Sequence, residues 1–129
     1  MSDQIVREWI RKAEEDWEAI QRLQAGDGDA VADVVGFLAQ QTAEKYLKAG
    51  LTHFDIEPDR LHDLGALLDS LVEKLAALED DLRDDVSGLT PLAVRFRYPG
   101  SWLTAGQAQT GVESAGRVRA RLRELLLTD

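Results

Sequence analysis

Apolar residues recur at intervals of three and four along most of the chain, and this spacing is the strongest constraint on its fold. Between residues 5 and 23 the pattern is carried by Ile5, Trp9, Ala13, Trp17, Ile20 and Leu23. These intervals place side chains on one face of an α-helix. No stretch shows the sustained two-residue alternation typical of a strand, so the sequence predicts an all-α fold.

Glycine, proline and leucine spacing predict where the next helices lie. Residues 26–29, Gly-Asp-Gly-Asp, end the first helix, and a second runs from about residue 30 to about residue 54 with no internal proline. A leucine seam from residue 61 to residue 78 predicts a third helix. The acidic run at residues 79–81 is either a junction or the solvated continuation of that helix.

Two further helices complete the predicted fold. Leu82, Val86 and Leu89 support a short fourth helix, which Gly88 and Pro91 limit, and a last helix begins around residue 104. Loops this short favour an antiparallel up-down bundle of four to five helices. We expect one domain over residues 1–129, with the second helix at its centre.

Composition limits the environment and the partners of the chain. The formal net charge of -9 repels phosphate backbones at long range, so any contact with nucleic acid must be local. Cysteine is absent, which suits a reducing compartment, and we expect a cytoplasmic location. Charged residues near the N-terminus and the lack of about 18 consecutive apolar residues predict neither a secretory signal nor a membrane span.

Motifs for bound metals and nucleotide loops are missing from the sequence. No Gly-x-x-x-x-Gly-Lys-[Ser/Thr] loop and no Glu-x-x-His pair occurs. With two histidines and no cysteine, the common zinc ligand sets are also lacking. We therefore expect no metal site and no cofactor.

Two arginines and a tyrosine lead into a Pro-Gly turn and form the first candidate site. Arg95, Arg97 and Tyr98 could bind a phosphate through the guanidiniums and stack the phenol on a base or ribose. Alternatively, they form an internal clamp in which an arginine meets an acid such as Asp16 or Glu44 and the tyrosine packs under the turn. The residue types alone leave both interpretations open.

Polar side chains on the second helix form another candidate group. Gln41, Glu44, Lys45 and Lys48 share one side by their three- and four-residue offsets, and Glu44 precedes Lys48 in the favourable orientation for an ion pair. A solvated surface stripe is the simplest interpretation. However, this helix is expected to be mostly buried, and polar residues that interrupt a buried face favour a functional role.

His62 and Asp63 lie where the third helix is expected to start. Asp63 is suited to complement the helix N-terminus. His62 is either a capping or packed side chain or a group for acid-base chemistry. Four arginines near the C-terminus are spaced two apart, which spreads them around the last helix instead of forming one stripe: Arg117, Arg119, Arg121 and Arg123.

Four segments in this order make the chain resemble the HEPN domain family, of the prokaryotic type that contains Arg-Tyr-Pro. They are the opening helix with Trp9 and residues 13–17, the Gln-Gln-x-Ala-Glu-Lys-x-Leu-Lys segment at 40–48, the turn from Glu57-Pro58 to His62-Asp63-Leu64, and Arg97-Tyr98-Pro99. The resemblance covers nearly the whole chain. It implies a helical bundle, commonly dimeric, that is associated with nucleotide or RNA binding and is often encoded beside a minimal nucleotidyltransferase in prokaryotic toxin-antitoxin systems.

Some members of that family are metal-independent ribonucleases whose signature is an arginine, a polar residue and a histidine a few positions later. This chain departs from the signature. Neither His53 nor His62 has an arginine at the required distance upstream, and no histidine follows Arg95 or Arg97. The resemblance therefore favours a noncatalytic module over a ribonuclease, and we assign no catalytic residue.

The resulting hypothesis is a nucleotide-binding module, acting as a homodimer and as the partner of a minimal nucleotidyltransferase. Its ligand or interface residues are Arg95, Arg97, Tyr98, Lys45, Lys48 and His62. We expect His62 and the arginine turn to meet at one pocket against the second helix. The alternatives are a divergent endoribonuclease with His62 as acid-base catalyst, and a self-associating structural adaptor in which the polar motifs only fix packing.

Overall fold

Helices account for all regular structure in the described part of the computed structural model. The structure describes residues 2–58, 62–93 and 98–127. The first helix, α1, spans Ser2–Ala25, and after a 3-10 turn at Gly28–Val31 the second helix, α2, spans Ala32–His53. Both helices confirm the sequence prediction to within a few residues.

The leucine seam is divided between two helices, so the prediction of one continuous helix over residues 61–78 was wrong. Helix α3 spans Leu64–Val72, a turn follows, and helix α4 spans Ala77–Leu89. In the turn, the backbone N–H groups of Lys74 and Leu75 both donate to the carbonyl of Leu71. The break precedes the acidic run, whose first two residues lie in the first turn of α4, where negative charge complements the helix dipole.

Two helices begin with a capping side chain, close to the starts that the sequence predicted. The carboxylate of Asp63 accepts from the N–H groups of Gly65 and Ala66 at the start of α3, which confirms its predicted role. Thr104 precedes the last helix, α5, which spans Ala105–Leu127. Its hydroxyl accepts from the N–H of Gln107, whose side chain accepts from the N–H of Thr104, as in a reciprocal capping box.

Helix α2 lies at the centre of the bundle, as predicted, and packs against α1, α3 and α5. Its fully buried side chains include Tyr46, Leu47 and Leu51. Close approach between elements depends on Gly111 of α5, where an added Cβ would lie 2.7 Å from a methyl group of Leu92. A glycine here costs helix propensity but allows α5 to approach the 3-10 turn at Thr90–Leu92.

The arginines of α5 point to two different neighbours, which confirms that they do not form one stripe. Arg117 and Arg121 each lie 2.9 Å from a carboxylate of α4, belonging to Asp85 and Asp81 respectively. Arg119 and Arg123 instead pair with Glu14 of α1. These pairs connect helices in a chain whose net charge would otherwise oppose compaction.

Candidate functional site

Three polar side chains form a buried ladder along one face of α2. Gln40, Glu44 and Lys48 are four residues apart, so helical geometry stacks them one above the next. Gln40 Nε2 donates to Glu44 Oε1 at 3.5 Å, and Lys48 Nζ lies 3.3 Å from Glu44 Oε2. Glu44 is only 3% exposed and Lys48 only 6% exposed. The solvated-stripe interpretation is therefore wrong for these two residues, which form a buried ion pair.

His62 connects this ladder to solvent. Its Nδ1 lies 3.1 Å from the same oxygen of Glu44 that binds Lys48, and its side chain is 76% exposed. The ring is therefore not a packed core histidine, and the helix cap is its neighbour Asp63 instead. The contact with Glu44 engages Nδ1 and leaves Nε2 as the nitrogen that an incoming molecule can reach.

An indole ring completes the surroundings of Lys48. The ammonium lies 5.5 Å from the ring centroid of Trp9 on α1, a cation–π distance. We refer to Gln40, Glu44, Lys48 and His62 as the Glu44 cluster. The cluster places one positive and one negative charge in a nearly dry environment, with an imidazole at its solvent edge.

Lys45 has a separate partner. Its Nζ lies 2.5 Å from Asp16 Oδ2 on α1, and both side chains are mostly buried. Lys45 thus holds α1 against α2. Lys48 and His62, in contrast, meet at Glu44, so the structure brings together two of the six predicted site residues.

A second polar cluster joins three helices around one carboxylate. Glu14 accepts from both Nε and Nη2 of Arg119 at 2.8 Å, and from the hydroxyl of Tyr46 at 2.6 Å. Arg123 Nη1 lies 3.2 Å from that hydroxyl and 3.6 Å from Glu14. Arg119 also lies over the ring of Trp17, 5.3 Å from its centroid. We refer to Glu14, Tyr46, Arg119 and Arg123 as the Glu14 cluster.

Electrostatics show that the Glu14 cluster is a strong internal clamp. The hydrogen bond from Arg119 lowers the pKa of Glu14 below its usual range against the opposing effect of burial. Burial raises the pKa of Tyr46 to about 12, and the bond to Glu14 acts in the same direction. Sequence reasoning missed this cluster because Glu14 and Arg119 are 105 residues apart, and no local spacing connects them.

Tyr98 lies at another level of the bundle, beside the start of α2. Its side chain does not pack under the turn, because the residue is 66% exposed. It lines a cavity of about 520 Å³, hereafter the aromatic cavity, whose walls are Asp33, Val34, Phe37, Tyr98, Pro99, Ser101 and Trp102. Asp33 precedes Glu44 by 11 positions on α2, a rise of about 16 Å, so Tyr98 and His62 lie beside opposite halves of the helix. The expectation that His62 and the late turn meet at one pocket is therefore wrong for Tyr98.

Trp102 is a candidate site residue that sequence reasoning missed. It is 76% exposed and shares the aromatic cavity with Tyr98. Only its position just after the Pro-Gly turn distinguishes it in the sequence from Trp9 and Trp17, both of which pack against the core. Exposure of this kind depends on the path of the turn and has no signature in composition.

The two predicted arginines, Arg95 and Arg97, lie outside the described residues. Within the described ranges, the two acids named as possible partners already have cationic neighbours. Asp16 pairs with Lys45, and Glu44 pairs with Lys48 and contacts His62. The role of the arginines remains a prediction.

A family comparison agrees with the arrangement of the helices. The HEPN domain family model matches residues 6–125, and the chain therefore belongs to the HEPN family. No curated protein and no solved structure matches the chain significantly. Membership supports a nucleotide-binding or ribonuclease-like module. Among the helices that the structure describes, none combines the length and apolarity needed to cross a bilayer.

Proposed function

We propose that this chain is a noncatalytic nucleotide-binding HEPN module that works as the partner of a minimal nucleotidyltransferase, in a pair of the prokaryotic toxin-antitoxin type. The observation that carries the proposal is the meeting of Lys48 and His62 at Glu44. Arg95, Arg97 and Tyr98 belong to the proposed ligand or interface surface as well. Lys45, which is paired with Asp16, contributes by holding α1 against α2.

The charges of the Glu44 cluster support binding of an anionic ligand at its solvent edge. Lys48 neutralises the carboxylate of Glu44, so an approaching phosphate does not meet an uncompensated negative charge. When both ring nitrogens of His62 carry protons, Nδ1 donates to Glu44 and Nε2 can donate to the phosphate from a well exposed ring. Local neutralisation matters in this chain because its net charge of -9 disfavours phosphate over most of the surface.

Calorimetric titration of the purified protein with mononucleotides tests the binding function. His62→Ala should weaken binding, whereas His53→Ala, which changes the chain's other histidine, should leave it intact. Arg95→Ala and Arg97→Ala should also weaken binding. Arg22→Ala is the matched control, because Arg22 is highly exposed and pairs with Glu18 within α1. Folded protein that binds neither nucleotide nor transferase would reject the proposal.

The partnership and the oligomeric state need their own measurements. The proposal expects a minimal nucleotidyltransferase to be encoded beside the chain. Co-expression of the two should yield a stable complex on affinity purification, and failure to form a complex would remove that part of the proposal. Light scattering should give about twice the chain mass of 14.3 kDa if the module is a homodimer. A cytoplasmic location is also part of the proposal, since the absence of cysteine suits a reducing compartment.

One observation favours a second candidate, a divergent metal-independent endoribonuclease. A carboxylate bound to Nδ1 orients an imidazole and fixes its tautomer, which is how acidic residues support a histidine acting as general base. Glu44 stands in that relation to His62. RNA cleavage that is abolished by His62→Ala and retained by His53→Ala would establish the enzyme. Cleavage that survives loss of His62 and of both turn arginines would exclude it.

A further inference from the structure

Two large aromatic side chains are left in water on the same cavity. Tyr98 is 66% exposed and Trp102 is 76% exposed, and both line the aromatic cavity beside Phe37 of α2. Val34, on the same wall, is 48% exposed. Grouped apolar exposure of this kind marks an interaction site more often than a scattered surface residue does. The cavity volume of about 520 Å³ is in the range of small-molecule sites.

One acidic group, Asp33, is fixed in the described wall of this cavity. Asp33 lies in the first turn of α2, and its Oδ1 accepts from the backbone N–H of Leu103 at 2.7 Å. This bond holds the carboxylate in place next to the two rings. An ionised carboxylate has about four acceptor positions, so Asp33 retains capacity to accept from a ligand amino group.

The size of the patch favours a small planar ligand over a protein. At their observed exposure, two aromatic side chains offer at most about 400 Å² of surface. A stable protein interface buries about 800 Å² on each partner. The two exposed rings thus supply about half of the area that a second copy of the chain would need, whereas they match the two faces of a flat ring.

The charge of the cavity wall indicates which part of a nucleotide the cavity can bind. Among the described residues its wall consists of Asp33, Val34, Phe37, Tyr98, Pro99, Ser101 and Trp102, a set in which Asp33 is the charged side chain. The carboxylate and the aromatic rings of the described wall favour an uncharged part of a ligand over a phosphate. The part of a nucleotide that fits is the uncharged base, which stacks on aromatic rings and, in adenine, cytosine and guanine, carries an exocyclic amino group.

We propose that the aromatic cavity binds an unpaired nucleobase that carries an exocyclic amino group. The base stacks on Trp102 and Tyr98, and its amino group donates to the carboxylate of Asp33. This inference rests on the proposed nucleotide-binding function and adds to it the chemical class that is recognised. The base can come from a free nucleotide or from single-stranded RNA.

Titration with ligands that differ by one group tests the inference. Adenosine should bind, purine riboside, which lacks the amino group, should bind about 10- to 150-fold more weakly, and ribose 5-phosphate should not occupy the cavity. Trp102→Leu should weaken adenosine binding by about 5- to 150-fold, while Trp102→Phe, which keeps a ring, should restore most of it. A hexa-adenylate strand compared with adenosine distinguishes RNA from the free nucleotide as the source of the base.

Asp33→Asn examines the polar contact separately. The amide oxygen can still accept from Leu103, so the fold should persist, but the preference for adenosine over purine riboside should disappear. If nucleotides bind yet Trp102→Leu and Asp33→Asn change nothing, the base site is wrong and the nucleotide-binding function stands. If no nucleotide binds, the base site and the nucleotide-binding part of the proposed function both fall. A wild-type dimer that Trp102→Leu converts to monomer would show that a second copy covers the patch, and would also overturn the base site.

Discussion

Removal of one member of the buried pair in the Glu44 cluster should cost far more stability than removal of both. Glu44 and Lys48 are 3% and 6% exposed, and their charged atoms lie 3.3 Å apart. When one partner of such a pair is removed, the other is left as an uncompensated buried charge, which costs about 3–5 kcal/mol. Glu44→Gln and Lys48→Met should each show a loss of this size.

The double variant distinguishes a buried pair from a pair of surface charges. Glu44→Gln combined with Lys48→Met removes both charges and leaves neither one uncompensated. The double variant should therefore lose much less free energy of unfolding than the sum of the two single losses. Glu18 and Arg22 provide a matched control, because they form an exposed pair with the same four-residue spacing. Glu18→Gln should cost no more than about 0.5 kcal/mol.

Chemical denaturation followed by circular dichroism measures these differences. In thermal unfolding, a loss of 3–5 kcal/mol corresponds to a decrease in Tm of roughly 10–20 °C for a chain of this size. Single losses below about 1 kcal/mol, comparable with those of an exposed pair, would refute the reasoning. Strict additivity in the double variant would refute it equally, since independent charges have no coupling free energy.

Three further predictions concern the Glu14 cluster and helix packing. Because Arg119 lowers the pKa of Glu14, the ionised carboxylate stabilises the fold at neutral pH, and this contribution is lost as the pH falls. Glu14→Gln should therefore lower the free energy of unfolding near pH 7 and reduce its dependence on pH in the acid range. Because the pKa of Tyr46 is raised to about 12, its neutral form stabilises the fold up to about pH 10 and the contribution is lost as the pH rises to 12, so Tyr46→Phe should remove that alkaline loss from the unfolding curves. Gly111→Ala should destabilise by about 1–3 kcal/mol, since the added Cβ would lie 2.7 Å from a leucine methyl group, whereas Gly88→Ala, with nothing within 4 Å, should be neutral or stabilising in the same denaturation assay.

The positions of the helices followed from the sequence except where a turn kept the apolar pattern intact. Spacing of apolar residues predicted α1, α2 and α5 nearly to their ends. The break between α3 and α4 escaped it, because Leu71 and Leu78 are both fully buried on either side of the turn and Leu75 packs against the same core. Because the leucines before, within and after the turn all face the same core, the apolar spacing continues through the turn without a gap.

Part of the candidate site followed from spacing as well, but its environment did not. The four-residue offset between Glu44 and Lys48 predicted their pairing, because both lie on one helix. Burial of the pair depends on what covers α2, and the simplest interpretation of the sequence had placed it in solvent. His62 belongs to a different segment, and its contact with Glu44 requires the chain after α2 to fold back.

The sequence by itself determined the features that arise within a few residues of one another: the helical class, the inward face of each helix, the cap at Asp63 and the ion pair along α2. Only the tertiary structure decided which charges became buried, that Arg119 reaches Glu14, and that Tyr98 and Trp102 remain in water. The physical reason is the range of the interactions. Backbone geometry sets contacts one turn apart on a helix, whereas burial and distant ion pairs depend on which helix faces meet.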